Sequence, residues 1–256
     1  MVVNTLKKSE ELREILMNYF PAMENSSLSF NEPNIPDYDL DSHDFIKFAE
    51  YELEQISNEQ DGMNKIHLIN CISHLKRAIE CQMDMCLQVL GLSKIVKKSN
   101  LGFDKKMEFF SKSGVFNSRS LTRLNGIRNK LEHSYEIPKI TEIETYFDLT
   151  VAFVSVLDSI IIYRSSCVGA EFYIESDEFN ELTHFSVEYI YNDVPKITCE
   201  INSFDREKMK PIVLKRIEVT AKEYKEFPYF LKVFLLLRRS EYTINMERAL
   251  KDLSSI

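Results

Sequence analysis

Glycine and proline are scarce, 6 and 7 among 256 residues, and so few turn formers point to long helices and few tight turns. The five cysteines, at 71, 81, 86, 167 and 199, form no CxxC pair. An odd number in a chain of this length suits reduced thiols in a cytosol and sets a disulfide framework aside. There is no Gly-rich phosphate loop, no serine nucleophile elbow and no HExxH, so the enzyme classes built on those motifs drop out. Residues 1–8 lack the basic start and sustained apolar run of a secretory leader. The longest apolar run, residues 149–163, is interrupted by Asp158 and falls short of the ~20 residues needed to span a bilayer. It reads as a buried helix, and a cytoplasmic protein without membrane partners is expected.

What is present is an ordinary globular composition, 44% hydrophobic and 28% charged, with a net charge of -8. The charge is unevenly spread. Residues 1–63 carry 4 Lys/Arg against 14 Asp/Glu, a balance of -10. Residues 93–133 carry 10 against 3, a balance of +7. Within a Debye length of ~8 Å the local balance decides what a surface attracts, so an acidic protein can still present a basic face. The acidic arm is either a solvated surface or a competitor for whatever binds the basic block.

Apolar residues recur at helical spacing through most of the first two-thirds of the chain. Leu6, Leu12, Ile15, Leu16 and Tyr19 predict one helix, which Pro21 ends; an acidic loop spans 22–43. A second helix starts near Asp44, with Phe45, Phe48, Ala49, Leu53 and Ile56 inward. The strongest pattern is Leu68, Ile72, Leu75, Ile79, Met83, Cys86 and Leu90, a central helix stopped by Gly91. A short helix over 104–112 follows, then one from Ser118, as N-cap, to His133. Thr141-Glu-Ile-Glu144 has a capping-box pattern that opens the last long helix, reaching about Arg164 and apolar on more than one face, as a central or interface helix would be. After Gly169 the period changes to two. Phe185, Val187, Tyr189 and Tyr191, a turn at 192–195, then Ile197, Cys199 and Ile201 predict a hairpin. Residues 212–219 fit another strand, 230–239 fit a buried strand or helix equally, and 243–253 fit a helix.

Chemistry concentrates in residues 124–135, LNGIRNKLEHSY. On a helix Arg128, Glu132, Asn129 and His133 fall at about 0°, 40°, 100° and 140° around the axis, one polar sector beside Leu124 and Leu131. Glu132 stands four residues from Arg128 and can hold its guanidinium; Asn129 stands four from His133 and can orient the imidazole. Arginine offers a planar fork of donors to phosphate oxygens, and histidine exchanges protons near neutral pH. Spacing alone allows a plainer reading, an exposed i,i+4 salt bridge worth ~0.3–0.5 kcal/mol beside a surface histidine. Gly126 costs ~1 kcal/mol in a helix interior, which asks for something that approaches closely, such as a partner helix or a backbone.

Arg128, Asn129 and His133, on the penultimate helix of a helical bundle and followed by another long helix, resemble the HEPN superfamily signature R-x4-6-H with a polar residue after the arginine. The resemblance covers roughly residues 64–165. Together with the charge and periodicity it gives an α+β protein in three parts: an acidic N-terminal helical arm over 1–63, the HEPN-like helical bundle over 64–165 that the resemblance implies, and a C-terminal α+β extension over 168–256, arm and extension both outside the common core. It also implies a metal-independent endoribonuclease of phage defence or toxin–antitoxin systems, acting as a homodimer with two motifs at one cleft, without metal or cofactor. Arg128 and His133 would be catalytic, with Asn129, Lys130, Glu132 and Arg123 binding or orienting the RNA. An antitoxin or another protein regulator would be a further partner. Some family members are non-catalytic, which leaves open an RNA-binding, nucleotide-binding or protein-interaction module.

Other clusters carry less. His67, Cys71, His74 and Cys81 share one stripe of the central helix, but a single straight helix rarely supplies converging zinc ligands, so packing is the preferred reading. Glu80 and Asp84 read as a solvated acidic face. His43 and His184 read as incidental, without partners.

Overall fold

The computed structural model describes residues 35–56, 62–98, 101–116, 139–166, 169–173, 184–205 and 209–240, together with positions 119, 122, 123, 125, 126, 129 and 133. The helices expected over 6–19 and 243–253 lie outside the described residues, as does Ser118. The fold is α+β, with helices first, an antiparallel sheet after them, and a last helix packed on the sheet.

Helix α1 (Ser42–Glu54) begins two residues earlier than its apolar pattern because Asp41 caps it. The Asp41 carboxylate accepts from His43 N–H at 2.8 Å and Asp44 N–H at 3.1 Å, and Asp44 reaches back to Asp41 N–H at 3.2 Å. This reciprocal box satisfies donors that a helix start leaves open. The bond from Asp41 N–H, followed by Lys47, holds the Asp44 carboxyl below its ordinary range. Ala49, fully buried, lets α1 lie close against helix α2 (Gly62–Val89), while Phe48 is more exposed than its inward spacing suggests. Gly62 is the first residue of α2.

Helix α2 spans 28 residues and buries Leu68, Cys71, Ile72, Leu75, Ile79, Met83 and Cys86. Its end is a Schellman turn. Leu92 N–H bonds Leu87 O and Gly91 N–H bonds Gln88 O, both at 2.8 Å, with Gly91 at φ +71°. A Cβ at Gly91 would come within 3.0 Å of Pro195 and Tyr191, so the glycine answers both the left-handed turn and the approach of the sheet.

Two short helices follow, α3 (Ser93–Lys98) and α4 (Phe103–Lys112), the first not foreseen from periodicity. Residues 119, 122, 123, 125, 126, 129 and 133 are each helical. Helix α5 (Ile140–Ser166) starts one residue before the expected box. Lys139, not Thr141, is at its start, and its N–H meets the Glu142 carboxylate at 3.4 Å. The helix is not apolar all round. Ile143, Tyr146, Thr150, Phe153, Val154, Leu157, Ile160 and Ile161 are buried, whereas Thr145, Asp148, Ala152, Ser155 and Ser159 form an exposed strip.

The sheet is an antiparallel meander in the order β1-β2-β3-β4: β1 (Gly169–Tyr173), β2 (His184–Ile190), β3 (Lys196–Asp205) and β4 (Lys210–Thr220). Strand β1, five residues long, has no counterpart in the expected hairpin. Val187, Tyr189, Ile197, Cys199 and Val219 form the buried face. Helix α6 (Phe227–Ser240) covers it with Phe227, Leu231, Phe234 and Leu235, settling the strand-or-helix ambiguity of 230–239. Their spacing of four, three and one is helical, and Pro228 sits in the first turn, where its missing N–H costs nothing.

One continuous cluster of buried apolar side chains joins the helices to the sheet. Tyr189 carries the junction. Its ring packs on Phe227 and Phe234, with centroids 6.2 and 5.8 Å away, and its hydroxyl donates to Leu90 O at the end of α2 at 2.5 Å.

Candidate functional site

The sequence places the candidate site on the stretch between α4 and α5, and its described residues divide into an anchored part and a presented part. Asn125 is half-buried, and its side chain donates to Asp104 of α4 at 2.9 Å. Arg123 is exposed yet lies within electrostatic reach of α5. Burial and then Glu142 push the Tyr146 phenol up from its ordinary value, and Arg123 pulls it the other way. Asn125 thus ties the stretch to α4.

Asn129 and His133 are both helical, half-buried and exposed respectively. They stand four residues apart in sequence, the spacing on which the expected orienting role rests. Arg128, Lys130 and Glu132 lie outside the described residues. Gly126 is helical and exposed, and a Cβ added there would meet nothing within 4 Å. The close approach expected at this glycine is therefore not made by the described residues of its own chain.

The basic block is less positive than its sum. Lys106 pairs with Asp84, and Lys94 lies 3.8 Å from Asp193, both acids from outside the block. Lys112 pairs inside it with Glu108 at 2.7 Å. Counting residues along the chain missed Asp84 and Asp193 because folding brings them in from elsewhere. Lys97, Lys98, Lys105, Arg119 and Arg123 are exposed.

The described cavities do not fall on His133. One of about 310 Å³ lies beside α4, lined by Phe103, Asp104, Met107, Glu108, Phe116 and Arg119 among others. Thr122, the lining residue nearest His133 along the chain, stands 11 positions before it. A second, of about 410 Å³, is bordered by Asp37, Asp39, Cys81 and Asp84, a charge set unsuited to phosphate. Burial, followed by the carboxylates of Asp41 and Asp84, pushes the Cys81 thiol up to about 11, so it is a poor nucleophile near neutral pH.

The histidine and cysteine stripe of α2 is dispersed among packing roles. His67 meets Glu52 at 2.6 Å, Cys71 is fully buried, and His74 packs on Phe45 and Phe48, with centroids 6.4 and 5.4 Å away. Among the described residues, no group of three or more His, Cys, Asp or Glu is placed to hold a metal ion. No described helix is long and apolar enough to cross a membrane. Glu80 and Asp84 are each matched by a cation, Lys76 and Lys106, rather than left as an acidic face.

One sequence reading needs correction at a polar chain that links three helices. His43 is not without a partner, since its Nε2 lies 3.1 Å from Asp158 of α5. Asp158 also accepts from Gln82 Nε2 at 2.6 Å, and Gln82 Oε1 accepts from the Ser42 hydroxyl at 2.6 Å. Gln82 and Ser42 are fully buried. A glutamine inside an apolar stripe and an aspartate interrupting the greasiest helix were the available signals; their 76-residue separation hid the match.

Compared with known proteins, the chain matches no family model, no curated protein and no solved structure.

Proposed function

We propose that this protein is a HEPN-type, metal-independent RNA endonuclease, working as a cytoplasmic homodimer in phage defence or toxin–antitoxin control, with an antitoxin or similar protein as regulator. The observation that carries the reading is the presentation of His133, helical and exposed, four residues after Asn129 and five after the Arg128 of the motif. Two further features support it: exposed cations at 97, 98, 105, 119 and 123, and the open space at Gly126.

In this reading His133 takes the proton of a ribose 2′-OH, or returns one to the leaving 5′-oxygen, while Arg128 stabilises charge on the phosphorane. Asn129 orients His133, Glu132 steadies Arg128, and Lys130 and Arg123 hold flanking phosphates. The products are a 2′,3′-cyclic phosphate and a 5′-hydroxyl. A DNA strand, lacking the nucleophile, is not cut. Two chains contribute one motif each.

A second reading is a non-catalytic HEPN-like module that binds RNA, nucleotide or a protein. The two lysines paired with acids from outside the basic block, Lys94 and Lys106, favour it, because those acids lower the charge available to RNA. Labelled RNA incubated in EDTA with the full chain, Arg128→Ala and His133→Ala separates the two. The enzyme predicts cleavage that falls by about 10²-fold or more in each variant, the usual scale for losing an acid–base group. Equal cleavage by all three proteins overturns the assignment, and binding without cleavage selects the module.

A further inference from the structure

Strand β4 brings together an open backbone edge and an apolar surface. Among the described residues it is an edge of the sheet, 11 residues long against 5 for the opposite edge, β1. Ile212, Val213, Leu214 and Ile217 are exposed, Val213 at 52% and Ile217 at 47%. Long apolar edges are the features that natural sheets usually shorten, charge or pair.

The direction of each backbone group follows from one hydrogen bond. Ala221 N–H donates to Pro195 O at 2.8 Å, continuing a register in which Thr220 faces Lys196. Hydrogen-bonded and non-bonded pairs alternate along an antiparallel ladder. Val219 and Ile217 therefore direct their N–H and C=O groups at β3, whereas Glu218 and Arg216 direct theirs away from it. Thr220 obeys the same alternation: its outward N–H is taken by the Glu223 carboxylate at 2.8 Å, which closes the edge there. At the other side the register shift between Ile201 and Asn202 interrupts the ladder. The open segment is 216–218.

We propose that two copies of this chain join edge to edge through β4, antiparallel about a twofold axis at Ile217, making one eight-stranded sheet. About that axis Arg216 of each copy faces Glu218 of the other, and these outward-pointing residues exchange four backbone hydrogen bonds. Ile217 faces its own counterpart as a non-bonded pair, at the closer Cα spacing of about 4.5 Å.

Charge selects both the register and the occupant. Moving the axis one residue either way sets Arg216 against Arg216 or Glu218 against Glu218, and like charges directly opposite are destabilising. A centre at 217 gives two opposite-charge pairs. This self-complementarity is what a twofold interface demands, where one patch must fit itself. Within each chain Arg216 already lies 3.3 Å from Glu200 and Glu218, and Lys196 lies 2.7 Å from Glu218. The seam extends a balanced cluster and leaves no lone charge buried.

The test is sedimentation velocity on the full chain at tens of micromolar, comparing wild type, Arg216→Glu, Glu218→Arg and an equal mixture of the variants. Wild type should be a dimer, each variant should dimerise at least tenfold more weakly, and the mixture should form the heterodimer, since one variant is acidic and the other basic at both positions. A monomeric wild type, dimers that survive both reversals, or a mixture no tighter than its components would overturn the proposal. Survival through both reversals would place the dimer seam elsewhere and leave the RNA reading untouched. Because both residues belong to an ion cluster within the chain, circular dichroism checks that the variants fold. If either does not, Ile217→Cys in a Cys199→Val background replaces them, because Cys199 faces Ile217 within the chain. Mild oxidation should then give a disulfide-linked dimer absent from Cys199→Val alone; its absence overturns the seam.

Discussion

Replacing Gly126 with alanine tests the helix and the candidate site in one step. The residue is helical and exposed, and the added Cβ has open space around it, so the substitution creates neither a clash nor a packing gain. What remains is the backbone term. Alanine is favoured over glycine in a helix interior by about 0.8–1.0 kcal/mol, and the gain from restricting the unfolded chain alone runs at about 0.4–1 kcal/mol. These describe the same effect and do not add, so Gly126→Ala should stabilise the protein by about 0.5–1 kcal/mol. For a chain of this size that is about 2–4 °C in Tm per kcal/mol, measurable by thermal melts and by the urea midpoint. RNA cleavage is measured on the same preparation. If a second chain or a nucleic-acid backbone approaches this glycine, cleavage falls while stability rises. A loss of stability would refute the reasoning, because it would mean that the turn is not helical or the space not open. Raised stability with unchanged cleavage would remove Gly126 from the site.

Three further outcomes follow from the packing. Gln82→Ala leaves the fully buried Ser42 hydroxyl and the Asp158 carboxylate short of a partner and should cost about 2–3 kcal/mol in urea denaturation. Tyr189→Phe removes the hydroxyl bonded to Leu90 O and should cost about 1–2 kcal/mol with the sheet otherwise intact, read from denaturation and far-ultraviolet circular dichroism. Burial, and then Arg77, hold the His74 imidazole below its ordinary 6.5, with Glu52 opposing. The unfolded chain therefore binds that proton more readily: the stability linked to His74 is present above pH 6.5 and is lost as pH falls through the range below it. His74→Phe should lose less Tm than wild type between pH 7 and pH 5.

Local patterns predicted much of the fold. The α2 stripe and its stop at Gly91 were legible because a left-handed turn after an apolar helix calls for glycine. The β2–β3 hairpin was legible because alternation and a turn signal both lie within a few residues. Boundaries were less so. The capping pattern at Thr141 was displaced to Lys139, which has no side-chain acceptor, so only the half made by Glu142 to the Lys139 N–H is present. Of the candidate site, His133 is exposed and Asn129 half-buried, both helical, while Arg128 and Glu132 of the expected polar sector lie outside the described residues. The charge of the basic block did not carry over, because Asp84 and Asp193 reach it through space.

By itself, the sequence determined the features that depend on neighbours a few residues away: the periods that separate helix from strand, the stop at Gly91, the hairpin turn, and the order Arg128, Asn129, His133. Only the tertiary structure decided what depends on distant partners. It made 227–240 a helix by laying Phe227 and Phe234 on Tyr189. It turned His43, Gln82 and Asp158 into one linked set. It also left β4 at the edge of the sheet with Ile217 exposed. The physical reason is that a side chain's period is set along the chain, whereas its partner, burial and electrostatic surroundings are set by whatever the fold brings beside it.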